Sequence, residues 1–350
     1  MESRVATALG AAFPNRSVSD TFAVGPSWNG ANETVGVAFA DGTRAFCKVA
    51  AGGDGSRIAR ELAVLRYLDA ARSVSGPAVL AADPDAAVPY LVTAPAPGDE
   101  LFDLWETTGP TAREALLRRV GATLATLHAV PFERHGEIVG GGGGRGRIGG
   151  SGGGGERGDG RGLPCDPAPW PDVLRSTVER TREIGTSERL AHHYDAVLDC
   201  VEANRDRLEA APAALLHGDV AKPNLFVCDR EPSERAGASG RAGPDGIVPI
   251  DWELAHVGDP VRDLVRAEDQ LLNGFDTRGP ARYAAALYKG YRDRAGGLPP
   301  GFAERRPVYE VVRMLGRSGF IDQWTTHLDE PLDSLVDRAN AELRSRLDAV

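Results

Sequence analysis

The sequence predicts an α+β fold in two lobes: an N-terminal antiparallel sheet with one helix over 1–98, then a mainly helical lobe over 99–350. Three features predict it. Strand-period alternation flanks an Asp-Gly turn early in the chain, only one stretch before residue 98 has helical periodicity, and from Glu100 onward apolar residues recur at helical spacing.

In chain order, "WNGANETVGVAFADGTRAFCKVA" alternates Val35, Val37 and Phe39 before the turn Asp41-Gly42. It then alternates Ala45, Cys47 and Val49 against Phe46 and Lys48, the pattern of a hairpin with Lys48 in mid-strand. "SRIARELAVLRYLDA" spaces Ile58, Leu62, Leu65 and Leu68 for one helix face, with Ser56 as its expected N-cap and Glu61 at the edge of the apolar stripe. "VPYLVTAPAPGDEL" reads as a short strand, Tyr90 to Thr93, which Pro95 and Pro97 break into an extended connection between the lobes. In "AREALLRRVGATLATLHAV" the stripe Leu116, Val120, Leu124 and Leu127 starts the helical lobe. Residues 140–162 are mostly glycine, cannot bury enough apolar area to offset their ordering entropy, and read as a disordered insertion. A second loose stretch, Arg230 to Gly246, separates two short apolar strands, Leu225 to Cys228 and Ile247 to Ile250. "YAAALYKGY" and "DSLVDRANAELRSRL" continue the helical pattern toward the C-terminus.

Composition narrows the function classes. A formal charge of -10 repels phosphate backbones and acidic lipids, and no apolar run is long enough to span a bilayer, so neither nucleic acid nor membrane is an expected partner. Cys47, Cys165, Cys200 and Cys228 form no C-x-x-C pair and no export signal is evident, which makes a cytoplasmic protein handling small molecules the expectation. Only Lys48, Lys222 and Lys289 among the 40 basic residues are lysines. A compact ammonium is not interchangeable with a planar guanidinium, so each remaining lysine is a hint of chemistry.

The chemistry concentrates around "HGDVAKPNLFV". If the strands flanking the second loose stretch pair as an antiparallel hairpin, the residue entering the first and the residue leaving the second lie side by side. Those residues are Asn224 and Asp251, hard oxygen donors of the kind magnesium takes when substrate phosphates complete its shell. Asp219, five residues before Asn224, is then placed to act as a base. A polar turn capping a strand would use the same residue types.

"LLHGDVAKPNLFV" with "VPIDWELAHVGDPVRDL", read as H-G-D-x-x-x-x-N followed by I-D-W-E and G-D-P-x-x-D, resembles the aminoglycoside phosphotransferase and choline kinase family, whose fold is similar to that of protein kinases. The resemblance spans roughly Ser27 to Leu264 and implies transfer of the γ-phosphoryl group of ATP or GTP, with Mg2+, to a hydroxyl of an aminoglycoside-, choline- or sugar-like acceptor. It implies that Asp219 orients the acceptor hydroxyl, that Asn224 and Asp251 hold magnesium, and that Lys48, fixed by Glu61, contacts the nucleotide phosphates. "SWNGANET", with Ser27 and Gly30, looks like the phosphate-covering turn, and main-chain groups at Ala94 and Ala96 would hold the base edge. Thr93-Ala94-Pro95 departs from the usual pattern there, since Pro95 has no N–H to donate, and the choice between ATP and GTP stays open.

The remaining residues near these motifs have plainer roles. His217 is expected to brace the loop of Asp219 by hydrogen bonds, Asp259 to cap a helix that starts at Pro260, and Asp263 to orient loops. Lys222 could neutralise a transferring phosphoryl group or sit in solvent. Trp252, Glu253 and Trp324 could line an acceptor pocket, with core packing the simpler role for the tryptophans. His192-His193 reads as a surface pair on a helix. Two rival functions remain: a metal-dependent phosphoester hydrolase using His217, Asp219, Asp251 and His256, and a nucleotide-binding regulator without turnover. Acceptor identity and oligomeric state are open.

Overall fold

A computed structural model describes residues 3–23, 30–140, 163–229, 245–275 and 277–350. Residues 141–162 and 230–244, which include nearly all of the glycine-rich insertion expected to be disordered and the second loose stretch, and Ser27 of the expected phosphate-covering turn lie outside these described residues. The chain begins with α1 (Ser3–Ala12), β1 (Val18–Ala23), β2 (Asn32–Phe39), β3 (Arg44–Ala50), α2 (Ser56–Ala71), β4 (Val79–Asp83) and β5 (Tyr90–Thr93). There follow β6 (Asp99–Glu100), α3 (Leu101–Thr107), α4 (Pro110–His128), β7 (Pro131–Phe132), β8 (Gly136–Ile138), β9 (Cys165–Pro167) and α5 (Trp170–Ile184). Then come α6 (Tyr194–Ala203), α7 (Arg205–Glu209), β10 (Ala213–Leu216), β11 (Leu225–Val227), β12 (Ile247–Pro249) and β13 (His256–Gly258). The C-terminal helices are α8 (Pro260–Leu272), α9 (Ala281–Ala295), α10 (Phe302–Ser318), α11 (Ile321–Trp324) and α12 (Leu332–Leu347). None of the described helices is long and apolar enough to cross a membrane.

The described chain forms two compact units: residues 1–108, 138–166 and 222–255 in one, and 109–137, 167–221 and 256–350 in the other. In the first, the sheet runs β1-β2-β3-β5-β4, antiparallel throughout. The hairpin turns where the Asp-Gly pair predicts, with Val37 facing Ala45 and Val35 facing Cys47 across β2 and β3. Val37, Phe39, Ala45, Cys47 and Val49 are fully buried, so the alternation marks the core face. That face packs against a helix the sequence reading did not include, α1, through Val5, Ala8 and Leu9. The first lobe therefore has two helices rather than one. The new one is short, alanine-rich and without an acidic residue in its first turn or a basic one in its last, so only the spacing of its three buried residues announces it.

Helix α2 forms as expected, with Ile58, Leu62, Leu65, Leu68 and Glu61 all buried. Its N-cap is Gly55, not Ser56, because the carboxylate of Asp54 accepts both the amide and the hydroxyl of Ser56 and performs the capping from one residue further out. A second, three-stranded sheet, β12-β11-β6, completes this unit. Gly98 permits it: its φ is +97°, and a β-carbon there would stand 2.2 Å from the carbonyl oxygen of Val227 on β11.

The second unit is helical around a small sheet in which β7, β10, β13 and β8 pair in order. Leu116, Val120, Leu124 and Leu127 of α4 are buried as their spacing predicts. Helices α4 and α9 approach until backbone meets backbone. A β-carbon on Gly121 would lie 2.0 Å from the Leu287 carbonyl oxygen, and one on Gly290 would lie 1.9 Å from that of Arg118. Asp259 caps α8 by accepting from the amide of Val261, with Pro260 in the first turn. Its carboxylate also holds Arg305, at 2.6 Å, and the Tyr309 hydroxyl at the same distance, both deeply buried. Trp252 is completely buried in the first unit, and Trp324 packs against Phe275 in the second, which assigns both to packing. The His192-His193 pair divides: His192 is exposed, while His193 is buried and bonded to the Asn340 carboxamide at 2.8 Å, because only one of two neighbours at a helix start can face inward.

Candidate active site

In the first unit, the middle of β3 places Lys48 opposite Thr34 on one side and Leu91 on the other. Its ammonium lies 2.6 Å from Glu61 Oε2 and 2.5 Å from Asp251 Oδ1, with Glu253 Oε2 at 3.5 Å. Burial opposes the charge on Lys48, but the three carboxylates outweigh it and hold the amine protonated well above the usual lysine range. Burial pushes the Glu61 carboxyl up, and Lys48 pulls it back in part. Glu253 is not at large: its carboxylate accepts from Arg57 at 2.9 Å and from the Asn32 carboxamide at 2.6 Å. Lys48 and Arg57 thus face Glu61, Asp251 and Glu253, and Arg60 donates to the Glu253 carbonyl at 3.2 Å. The cluster ends in a partly exposed carboxylate, a donor that suits a cation.

The carboxylate with that exposure is Asp251, whose side chain is 34% accessible. The strands β11 and β12 pair as the sequence predicts, Leu225 with Pro249 and Val227 with Ile247. At the open end the Asn224 carbonyl accepts from the Ile250 amide at 2.9 Å, so Asn224 and Asp251 leave the hairpin from adjacent positions. Asp251 sits at φ 63° and ψ 66°, a left-handed conformation that costs a residue with a β-carbon about 1 kcal/mol or more. Such a residue is kept where its side chain must point one way. Its carboxylate and the Asn224 carboxamide are hard donors that fit magnesium.

Gly30 is exposed with φ +61°, as a turn glycine should be. Ala94 is buried and its amide already donates to the Ala78 carbonyl at 2.8 Å, so a bound base could use only the Ala94 carbonyl and groups at the half-buried Ala96. Lys222 lies 4.7 Å over the ring of Trp105, a cation–π contact the sequence reading did not foresee.

In the second unit, Asp219 follows β10 on a loop fastened from below. Asp263 of α8 accepts from the amides of His217 and Gly218, each at 2.9 Å, and lies 3.3 Å from His128 Nε2. The Asp219 amide in turn donates to His217 Nδ1 at 3.1 Å, the bracing role expected of that histidine. Asp219 Oδ1 accepts from Arg266 at 2.8 Å and from Gln270 at 2.7 Å. Burial raises the Asp219 carboxyl, yet Arg266 and Gln270 outweigh it and hold the group below the usual aspartate value, ionised at neutral pH. Arg266 and Gln270 were not singled out from sequence. Their positions, three and seven after Asp263, put all three on one stripe of α8, and that spacing was the available signal.

Two members of the rival hydrolase set are already engaged in the second unit. His217 Nδ1 is taken by the Asp219 amide, and His256 receives an Arg262 N–H while its ring stacks on Trp170 at 5.7 Å. Among the described residues no group of three or more His, Cys, Asp or Glu is arranged to hold a metal ion.

A family model described as the phosphotransferase enzyme family, APH, matches residues 27–308. The chain belongs to that family. It is a small-molecule kinase in class, and the match takes in Lys48, Glu61, Asp219, Asn224 and Asp251. Solved structures similar to this APH-family kinase include the assigned fructosamine-3-kinase of Thermobifida fusca, at 22% identity over 98% of this chain and 99% of that one, TM-score 0.57. The choline kinase LicA of Streptococcus pneumoniae is similar at 12% identity over 100% and 99%, TM-score 0.59. The ternary complex of APH(2")-IIa with streptomycin and ATP is similar at 14% identity over 99% and 98%, TM-score 0.56. At these identities the likeness establishes a protein-kinase-like fold. No curated protein sequence matches the chain.

Proposed function

We propose that this APH-family enzyme transfers the γ-phosphoryl group of ATP or GTP to a hydroxyl of a small molecule. The observation that carries the reading is the Lys48 ammonium held between Glu61 and Asp251 within 2.6 Å of each. A lysine fixed in mid-strand by a buried helix glutamate is a rigid cation for nucleotide phosphates. A solved relative in fold holds ATP beside its streptomycin, which supports a nucleotide co-substrate here.

In this reading the first unit binds nucleotide. Lys48 contacts the α- and β-phosphates and Glu61 fixes its rotamer. The turn at Gly30 covers the phosphates, and main-chain groups of Ala94 and Ala96 hold the base. Asn224 and Asp251 would hold Mg2+, which when bound neutralises phosphate charge. Asp219, ionised and held by Arg266 and Gln270, accepts a hydrogen bond from the acceptor hydroxyl and takes its proton late. Phosphoryl transition states are loose, so orientation matters more than basicity, and a low pKa is compatible with the role. Oxygen attacks phosphorus as the bond to the β-phosphate oxygen breaks, and ADP or GDP leaves.

The test is purified protein with Mg2+ and ATP or GTP against hydroxylated metabolites and antibiotics, read by mass gain of the acceptor. Phosphorylated acceptor supports the reading, while nucleotide loss that ignores every acceptor would favour a hydrolase.

A further inference from the structure

Linked to Asp219 through Arg266, within the second unit, lies a cavity of about 60 Å³ lined by Arg262, Arg266, Arg313, Tyr309, Thr177 and Thr181 among others, with no acidic residue in its wall among the described residues. The volume suits a carboxylate-sized head group rather than a ring. The lining hydroxyls have already spent their protons: Tyr309 donates to Asp259, Thr177 to the Val173 carbonyl and Thr181 to that of Thr177. Donors that remain for a ligand come from the guanidinium forks.

Among the described residues, two of those forks have a carboxylate partner and one does not. Arg266 is shared between Asp219 and Gln270, and Arg313 pairs with Asp269 at 2.6 Å, an aspartate that Arg317 also holds at 2.7 Å. Arg262 has no carboxylate at ion-pair distance among the described residues; it contacts His256 and lies over the face of Trp170 at 5.8 Å. Among the described residues, the guanidiniums of Arg262, Arg266, Arg313 and Arg317 repel one another around Asp219, Asp263 and Asp269. Burial, and repulsion from Arg266 and Arg313 that Asp263 only partly offsets, pull Arg262 down to about 10. An anion in the cavity would relieve that repulsion.

We propose that the acceptor of this kinase is a hydroxylated carboxylic acid whose carboxylate docks on Arg262, Arg266 and Arg313, presenting its hydroxyl to Asp219. The proposal rests on the assignment of Asp219 to the acceptor. Arg266 links the two tasks, because the guanidinium that lines the cavity is the one bonded to Asp219 Oδ1. A cationic acceptor would bring like charge against this wall, and a neutral polyol would gain nothing from it.

Three polyols of the same carbon skeleton isolate the head group: gluconate, sorbitol and 1-amino-1-deoxysorbitol. Each is offered to the intact enzyme with Mg2+ and ATP, with binding read by calorimetry and transfer by mass. Gluconate should bind better than sorbitol by on the order of ten-fold, the size of one charge-assisted contact, with the amine weakest. In Arg262→Gln the gluconate advantage should collapse through KM more than kcat, and Arg262→Lys should restore part of it, which shows that the loss is not one of folding. Equal or better binding of sorbitol or the amine, or a gluconate preference that survives Arg262→Gln, overturns the proposal. Gluconate binding that depends on Arg262 but yields no phosphorylated product sustains the cavity assignment and counts instead against the proposed phosphoryl transfer.

Discussion

At the scale of the residue, Asp219 and Lys48 divide the proposed work, and their substitutions should fail differently. Asp219→Ala should lower kcat by about 10²- to 10⁴-fold, the usual contribution of a positioned acid–base group, with nucleotide affinity nearly unchanged by calorimetry. Lys48→Ala removes the ammonium from beside three carboxylates, of which Glu61 and Glu253 are buried. The variant should lose nucleotide affinity and also about 3 kcal/mol of stability, seen as a lower melting temperature, because an uncompensated buried charge remains. Equal stability of wild type and variant would show that the cluster rearranges freely. Both residues were legible in sequence, since a scarce lysine in strand alternation and an aspartate in H-G-D-x-x-x-x-N carry their context in a few neighbours. Asn32 and Arg57, which hold Glu253, were not. Nothing local marks an asparagine at a strand start or an arginine on a helix as partners of a carboxylate some two hundred positions away.

At the scale of the element, periodicity made most of the architecture readable, and close approach made the rest invisible. The β2–β3 hairpin, α2 and the β11–β12 pair follow from alternation and spacing, because each buries one face. The contact between α4 and α9 does not, since Gly121 and Gly290 look in sequence like helix-weakening residues. Their value lies in what a side chain would strike. Gly290→Ala should therefore destabilise the protein by about 1–3 kcal/mol, even though alanine is the better helix former, and a chemical denaturation midpoint measures it. Stabilisation by the substitution would mean that the helices are further apart than described. Helix α8 teaches the same lesson from its other face: one stripe of Asp263, Arg266 and Gln270 both fastens the loop and holds Asp219.

At the scale of the whole molecule, the buried aspartates set the response to acid. Burial raises the carboxyls of Asp219, Asp263 and Asp269, but their arginine, histidine and amide partners more than reverse this and hold all three below the ordinary value. A depressed carboxylate stabilises the fold above its unfolded pKa, about 3.9, and that contribution is lost as pH falls through the folded value. The melting temperature should thus be flat with respect to these groups above about pH 5 and fall progressively below about pH 4. Asp263→Asn should begin lower and fall less steeply, and an unchanged slope would contradict the linkage. Cys47 offers a separate gauge of global opening, for burial, with a contribution from Glu33, pushes its thiol up to about 12. It should resist thiol reagents in the native protein and react only on unfolding. The first unit is stitched from three stretches of chain, ending at residue 255, and Lys48 meets Asp251 only within it. During synthesis the amino-terminal sheet must therefore leave the ribosome long before its second anchoring carboxylate does. Nascent chains stalled short of residue 250 should keep this region susceptible to protease, and those released beyond it should not.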